Sequence, residues 1–161
     1  MLEKCLIVFN GNDNTLIIGD NLRLKNIEFV MNDDENSIEI GSSNSFGRNV
    51  CIIVEEGTSV TIGVGCQIGS GVSIRTSDGH SIIDMTNKRR INLAKNVVIE
   101  NCVWIGENVK ILKGSHVESN CVIGAGSIVA GKKLNGNSIY VGAPVKQIRE
   151  NIDWISERIK N

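Results

Sequence analysis

The feature that most constrains this chain is a six-residue repeat between Val97 and Val129. An aliphatic residue recurs at every sixth position, and a small or branched residue lies four positions after each of the first five. The first rank is Ile99, Ile105, Ile111, Val117, Ile123 and Val129, and the second is Val103, Val109, Ser115, Cys121 and Ser127. A helix repeats about every 3.6 residues and an exposed strand about every 2, so neither alone explains this period. Short strands that turn a corner every six residues do, which predicts an all-β parallel β-helix.

The composition favours the same extended backbone. Ile and Val together number 40, against 8 Leu and 6 aromatic residues, and β-branched side chains prefer strands. Seventeen Gly and a single Pro predict many tight corners. The 161 residues are enough for one domain with a sizeable core.

The spacing also predicts where the coils lie, because three hexapeptides make one triangular coil. Aliphatic or aromatic residues keep the six-residue period in two earlier segments, and a Gly follows the first two members of each. We therefore expect coils at residues 40–52, 62–74, 99–111 and 117–129. Residues 1–36 carry the repeat weakly, as expected of a capping region that meets water on one face.

Charge and hydropathy exclude several classes of partner. The formal net charge of -1 provides no global field to attract nucleic acid or an anionic membrane. No stretch approaches the roughly 20 apolar residues that span a bilayer, and no signal peptide opens the chain. The five Cys form no CxxC pair, and Cys66 and Cys121 fall at inward positions, which predicts buried, reduced thiols. We expect a cytoplasmic protein with no nucleic-acid partner and no membrane insertion.

The period is interrupted by an insert at residues 75–92. In stacked repeat proteins such insertions leave the core as loops on one side, often the binding side. The insert contains His80, one of only two His in the chain. Ser, Asp and Gly neighbours predict a turn that presents the imidazole to solvent.

The C-terminal residues 147–161 change period. Ile148, Ile152, Ile155 and Ile159 recur at helical spacing with charged residues between them. The pattern predicts a short amphipathic α-helix, with Trp154 on its margin, that covers the last coil or a neighbouring subunit. The helix is expected to belong to the same domain as the β-helix of residues 1–146.

Four segments outside the regular rungs are distinctive when they are considered together. They are Thr76-Ser77-Asp78-Gly79-His80-Ser81-Ile82-Ile83-Asp84, Arg90-Ile91-Asn92, Val103-Trp104-Ile105-Gly106 and Gly142-Ala143-Pro144-Val145-Lys146. With them the chain resembles the left-handed β-helix acyltransferases of the hexapeptide-repeat type. Within these it is similar to bacterial O-acetyltransferases of cell-surface polysaccharides, including polysialic acid. The resemblance implies a left-handed helix, a homotrimer, and acetyl-CoA bound in the groove between adjacent subunits.

His80 is the candidate general base. A sugar hydroxyl is a weak nucleophile at neutral pH, and His has an unperturbed pKa of about 6.5. The alternative is an ordinary loop histidine. Asp84 or, less favourably, Asp78 is close enough in sequence to orient the imidazole. Either carboxylate could instead cap loop amides.

Trp104 falls between the inward Val103 and Ile105, so its side chain should point outward. An exposed indole is costly unless something covers it. Its ring could stack on the acyl or pantetheine arm of the donor, and its N–H could donate a hydrogen bond. The alternative is burial in a trimer interface. In the similar polysaccharide acetyltransferases a Trp of this segment accompanies the active-site His, which favours a functional role.

The donor site is expected near the last coils. The small residues Gly124, Ala125, Gly126 and Ser127 would let a ligand approach the backbone closely. Lys132, Lys133 and Lys146 carry ammonium groups suited to the phosphates of coenzyme A. Similar transferases use these same segments, although they more often have Asn-Pro where this chain has Ala143-Pro144. For each lysine a solvated surface charge remains the alternative.

The sequence thus predicts an acetyl-CoA-dependent O-acetyltransferase of a bacterial surface carbohydrate or its precursor. The alternatives are N-acetylation of a nucleotide-linked amino sugar and a non-catalytic β-helix scaffold. His116, the second His, is expected to be an exposed surface residue. Carbonic anhydrases of the same architecture hold a metal with three His, and this chain has only two, so no metal is expected.

Overall fold

The computed structural model describes residues 2–160, which form a stack of short strands. In chain order the strands are β1 (Leu2–Glu3), β2 (Leu6–Asn10), β3 (Thr15–Ile18), β4 (Leu24–Lys25), β5 (Ile27–Asn32), β6 (Ser37–Ile40), β7 (Ser45–Phe46), β8 (Val50–Glu55), β9 (Ser59–Ile62), β10 (Gln67–Ile68), β11 (Ser73–Arg75), β12 (Val97–Ile99), β13 (Trp104–Ile105), β14 (Lys110–Leu112), β15 (His116–Val117), β16 (Val122–Ile123), β17 (Ile128–Ala130), β18 (Lys133–Leu134), β19 (Ile139–Gly142) and β20 (Val145–Arg149). No helix occurs between residues 2 and 160.

Three six-stranded sheets form the walls of the solenoid. Sheet 1 contains β3, β6, β9, β12, β15 and β18; sheet 2 contains β7, β10, β13, β16, β19 and β20; sheet 3 contains β2, β5, β8, β11, β14 and β17. The chain visits sheets 1, 2 and 3 in turn, and each strand pairs in parallel with its equivalent one coil later. The four predicted coils are confirmed, and residues 6–32 begin a further coil that the weak N-terminal repeat indicated only in part.

The two predicted ranks of the repeat form the core. Stacked strands place equivalent side chains directly above one another, as Ile68 above Phe46 and Ile105 above Ile68 in sheet 2. Every aliphatic residue of the first rank is at most 1% exposed, and the second rank is buried as well. Cys66 and Cys121 are buried in this core, and burial raises the pKa of each thiol to about 11. The prediction that these two thiols are buried is confirmed, and neither forms a disulfide.

The corners require a left-handed backbone conformation in every coil. At the corner between sheets 1 and 2, residues with positive φ are Asn21, Ser43, Gly65, Cys102, Asn120 and Asn137. At the corner between sheets 2 and 3 they are Asn26, Asn49, Gly71, Asn108 and Gly126. All of these corner residues except Ser43 and Cys102 are Asn or Gly, which tolerate this conformation better than other residues do.

The prediction of a C-terminal helix over residues 147–161 is wrong. Val145 to Arg149 instead form the antiparallel edge strand β20, which pairs with β19. Residues 150–160 follow without regular structure, and Asn161 lies outside the described residues. An isolated helix of this length is marginal, whereas the open edge of sheet 2 offers backbone partners at once. The predicted apolar stripe is largely exposed, with Ile148 at 61% and Ile159 at 76%, and the residue that caps the core is Val145.

The loop between β11 and β12 is fastened to the coils on both sides of it. Glu56, from the preceding coil, accepts hydrogen bonds from the Ser77 hydroxyl at 2.9 Å and from both Arg90 terminal nitrogens at 2.7 Å. Lys113, from the following coil, donates to Asp78 at 2.5 Å. The hydrogen bonds from Arg90 and Lys113 lower the pKa of Glu56 and Asp78, respectively. The start and the end of the loop are thus held by carboxylates in their charged form.

The described residues contain no helix long and apolar enough to cross a bilayer.

The alternation within β8 allows a matched test of the core. Ile52 is completely buried, whereas the neighbouring Ile53 faces outward and is half-buried. We expect Ile52→Ala to lower the free energy of unfolding by about 2–5 kcal/mol, because it leaves a cavity between stacked coils. Ile53→Ala should cost about 1 kcal/mol or less. Urea denaturation at a fixed protein concentration measures both, and equal losses would contradict the assignment of inward positions.

The pKa shifts predict how the loop responds to acid. Because the folded pKa values of Glu56 and Asp78 are lowered, their contribution is fully present above the unfolded values of about 4. It is lost as the pH falls through the folded values. We expect the amides of Ile82 and Ile91 to lose protection from hydrogen exchange in this acidic window, after correction for intrinsic rates. In a Glu56→Gln/Asp78→Asn variant the same amides should show no such pH dependence; an unchanged acid response would contradict this origin.

Candidate functional site

The two strongest candidate residues lie on opposite sides of the chain. The loop that carries His80 leaves the solenoid after β11 of sheet 3 and returns at β12 of sheet 1. Trp104 lies on β13, in sheet 2. In a three-sided coil, the corner between sheets 3 and 1 is opposite the face of sheet 2. A single chain therefore does not bring His80 and Trp104 into one site.

Asn92 fixes the backbone on both sides of His80. Its amide nitrogen donates to the His80 carbonyl and to the Asp78 carboxylate, each at 2.8 Å, and its amide oxygen accepts from the Ile82 N–H at 2.7 Å. Asn92 is only 8% exposed, while His80 itself is exposed. The loop thus holds the backbone of His80 and presents the side chain to solvent, as the sequence predicted.

The two candidate orienting carboxylates are engaged within the loop. Asp78 accepts from Lys113 and Asn92. Asp84 accepts from the Thr86 N–H at 2.7 Å and from the Asn87 amide at 3.3 Å, at the start of a tight turn. The contacts of Asp84 correspond to the capping alternative, whereas Asp78 is held by side chains rather than by loop amides. The orienting role of Asp84 stays a prediction.

Trp104 borders a recess on the face of sheet 2. Its side chain points outward and is 46% exposed, as predicted, between Gln67 of the preceding coil and Val122 of the next. The recess has a volume of about 590 Å³, and its lining includes Gly69, Trp104, Gly106, Glu107, Gly124 and Ala125. It thereby joins Trp104 to two of the predicted donor-binding residues. Glu107 was not anticipated; its position directly after Gly106, close behind the outward Trp104, is the signal that could have indicated it.

Trp104 also contacts the second Trp of the chain. The ring centroids of Trp104 and Trp154 are 6.0 Å apart, and the ring planes are inclined by 47°. The Trp154 indole N–H donates to the Cys102 carbonyl at 2.7 Å. The C-terminal residues therefore reach the recess, which the sequence did not indicate.

Residues 124–127, the small residues of the predicted donor site, are subject to different structural constraints. A Cβ on Gly124 would lie 2.7 Å from the Val141 side chain, so close stacking of coils requires this glycine. Gly126 has φ +70° and open space around it, so its backbone conformation is the constraint. Ala125 is exposed, and Ser127 is buried with its hydroxyl accepting from the Gly142 N–H at 3.0 Å. Within this group, Gly124 and Ala125 line the recess.

The three candidate lysines have different surroundings. Lys132 donates to the Val145 carbonyl at 3.4 Å, near the C-terminal end of the core. Lys133, on sheet 1, pairs with Glu118 at 2.7 Å, and this hydrogen bond raises the pKa of Lys133. Lys146 is exposed on β20, at the edge of sheet 2. Of the three, only Lys146 shares a sheet with Trp104.

His116 lies on sheet 1 and is partnered rather than freely exposed, contrary to the prediction. Its Nε2 lies 2.7 Å from Glu100, which also accepts from the hydroxyl and the N–H of Ser119. The hydrogen bond with His116 is the main cause that lowers the pKa of Glu100. Among the described residues, no three His, Cys, Asp or Glu side chains are grouped as metal ligands.

Comparison with known protein families identifies the six-residue repeat. Residues 96–131 match the family of the bacterial transferase hexapeptide (six repeats). The polysialic acid O-acetyltransferase of Escherichia coli O1:K1 / APEC is 38% identical over 75 residues, which are 47% of this chain and 24% of that protein. The polysialic acid O-acetyltransferase of Neisseria meningitidis is 36% identical over 75 residues, 47% of this chain and 35% of that protein. The matched segment thus spans at most about a third of these relatives.

Solved structures match nearly the whole chain. The polySia-specific acetyltransferase NeuO superposes with a TM-score of 0.62 at 29% identity, over 96% of this chain and 90% of that one. The polysialic acid O-acetyltransferase OatWY gives a TM-score of 0.70 at 23% identity, over 96% and 93% of the two chains. The N-acyltransferase AntD from Bacillus cereus gives 0.62 at 19% identity, over 92% and 84%. The fold is therefore the left-handed β-helix, and the chain is similar to hexapeptide-repeat acetyltransferases of this architecture.

Proposed function

We propose that the protein is an acetyl-CoA-dependent O-acetyltransferase that modifies a hydroxyl of a bacterial cell-surface carbohydrate or its precursor. The observation that carries the proposal is a loop that interrupts the hexapeptide β-helix, holds the His80 backbone through Asn92 and presents the His80 side chain to solvent. The similarity to O-acetyltransferases of surface polysaccharides supports it. Acetyl-CoA as donor places the reaction in the cytoplasm.

The chemistry requires one proton to move twice. His80 takes the proton of the acceptor hydroxyl as its oxygen attacks the thioester carbonyl, which forms the new C–O bond. The tetrahedral intermediate then collapses, the C–S bond breaks, and the imidazolium returns the proton to the departing thiolate. A hydrogen-bond donor must stabilise the oxyanion, and the Trp104 indole or a backbone N–H is the candidate. Asp84 is retained as the residue that would orient His80.

The recess beside Trp104 fits the arm of coenzyme A. An outward indole, apolar Val122 and the close backbone of Gly124 and Ala125 form a surface on which an extended pantetheine chain can lie. Gly126 and Ser127 complete this corner of the coil. Lys146, on the same sheet as the recess, would contact the phosphates. Lys132 is retained as a second phosphate ligand, and Lys133, on sheet 1, would contribute from a neighbouring subunit.

Assembly of a complete site requires more than one copy of the chain. His80 and Trp104 project from opposite sides of the solenoid, and both are exposed. A threefold arrangement would place the His80 loop of one subunit against sheet 2 of the next and form three equivalent sites. We therefore propose a homotrimer with acetyl-CoA between adjacent subunits.

The competing proposal is N-acetylation of an amino sugar, since an N-acyltransferase shares the fold. A screen of oligosaccharides and nucleotide sugars for an acetyl-CoA-dependent gain in mass identifies the acceptor. Mild alkali then separates the two chemistries, because it hydrolyses esters and leaves amides intact.

The role of His80 can be tested against the only other His of the chain. We expect His80→Ala to lower kcat/KM roughly 10²- to 10⁴-fold, because the hydroxyl loses its general base. His116→Gln, on sheet 1 and outside the loop, should keep near-wild-type activity. Thiol release from acetyl-CoA in the presence of acceptor measures both. A His80→Ala variant that folds as a trimer and keeps wild-type thiol release would overturn the assignment.

The shared site predicts complementation between two inactive variants. His80→Ala and Trp104→Ala chains are purified separately, shown to be impaired, and then refolded together in equal amounts. If each site takes His80 from one subunit and Trp104 from its neighbour, about a quarter of the sites become intact. We expect about a quarter of wild-type activity. Mixtures no more active than the separate variants would mean that no site is shared between subunits.

A further inference from the structure

The two Trp of this chain contact each other although they are 50 residues apart. Their centroid separation of 6.0 Å and inclination of 47° fall within the range of favourable tilted aromatic pairs. Neither residue is part of the buried core of the solenoid. The contact is therefore not required by the packing of the coils.

The segment that carries Trp154, residues 150–157, crosses the corner between sheets 1 and 2, and we call it the strap. The Ile152 N–H donates to the Asn137 carbonyl at 3.0 Å. The side-chain amide of Asn137 donates in turn to the Ile152 carbonyl at 3.1 Å. The Trp154 indole N–H then donates to the Cys102 carbonyl at 2.7 Å. These directional bonds fix the position of the Trp154 ring.

Burial does not explain why the strap takes this path. Ile155 is 53% exposed, and the strap offers the core no other large apolar side chain besides the half-buried Ile152 and Trp154. The bonds of the strap direct Trp154 to Trp104 instead. Its course is thus determined by corner carbonyls and by one aromatic contact.

The Trp pair separates two recesses on the face of sheet 2. On one side lies the recess with Gly124 and Ala125. On the other side the strap borders a second recess of about 420 Å³, whose lining includes Gln67, Cys102, Trp154, Ser156 and Glu157. Trp104 lines the first recess, Trp154 lines the second, and removal of the Trp154 ring would take away the aromatic partner of Trp104.

We infer that Trp154 is a positioning residue, which holds the Trp104 indole at the angle required to bind the pantetheine arm of coenzyme A. The inference rests on the proposed function, because it assigns Trp104 to the donor site. Trp154 acts through Trp104 and need not touch the donor itself.

Coenzyme A binding to the trimer provides the test. Isothermal titration compares wild type with Trp154→Ala, Trp154→Phe and Ile159→Ala, the last being a matched truncation of an apolar tail residue that is 76% exposed. We expect Trp154→Ala to raise the Kd for coenzyme A about threefold to tenfold. Trp154→Phe, which keeps an aromatic ring, should stay within about twofold, and Ile159→Ala should be unchanged. If the alanine variant does not fold, Trp154→Leu provides the same comparison.

A double-mutant cycle distinguishes positioning from a merely structural role. If Trp154 acts through Trp104, adding Trp154→Ala to Trp104→Ala should produce no further rise in Kd. Near-ultraviolet circular dichroism is an independent readout, because the two Trp are the only ones in the chain. Their coupled signal should be present in wild type and absent from every Trp154 variant.

The outcomes separate this inference from the proposed function. If wild type binds coenzyme A and Trp154→Ala binds it equally well, with its coupled signal lost, the positioning role is overturned alone. A lower melting temperature with an unchanged Kd would likewise make Trp154 merely structural. Wild-type protein that binds no coenzyme A would overturn the proposed function and this inference with it.

Discussion

The register between stacked coils is the constraint on which the rest of the structure depends. Each inward side chain rests on the equivalent side chain of the coil below, as Ile68 rests on Phe46 and Ile105 on Ile68. A shift of one residue would turn the whole buried rank outward, so the register is strongly specified. The left-handed corner residues, such as Asn49 and Gly71, maintain it because each returns the chain to the same wall. The core, the corners and the outward faces therefore follow from one periodic condition.

Much of the fold can be predicted from the sequence because that condition is local. A period of six identified the inward residues from Ile40 to Val129 and also the outward direction of Trp104. The sequence carries a further signal: the third residue after each aliphatic is often Asn or Gly, as Asn108 after Ile105 and Gly126 after Ile123. These are the positions with positive φ. The spacing of Asn and Gly thus also predicts where the chain turns from one sheet to the next.

The C-terminal segment could not be predicted in the same way, because its structure depends on partners distant in sequence. The spacing of Ile148, Ile152 and Ile155 suits a helix, yet β19 provides an open edge for residues 145–149. The carbonyls of Asn137 and Cys102 then direct the following residues. The same limit applies to the candidate site. Its residues were identified one by one, but the opposite placement of His80 and Trp104 emerges only when three sheets are assembled.

The solenoid also explains how a long loop is accommodated without a change of fold. In sheet 1, Ile38 pairs with Val60, and Val60 pairs with Val97. The first pair is 22 residues apart (60 − 38) and the second 37 (97 − 60), so the loop adds 15 residues to one coil. Because each coil contacts only its neighbours, this excess does not propagate along the stack. The entropic cost of a longer closed loop rises only slowly with its length, and Glu56 and Lys113 fasten its two ends. Chemistry can therefore be placed where the period is interrupted, while the uninterrupted coils keep the opposing face regular enough to form a binding surface.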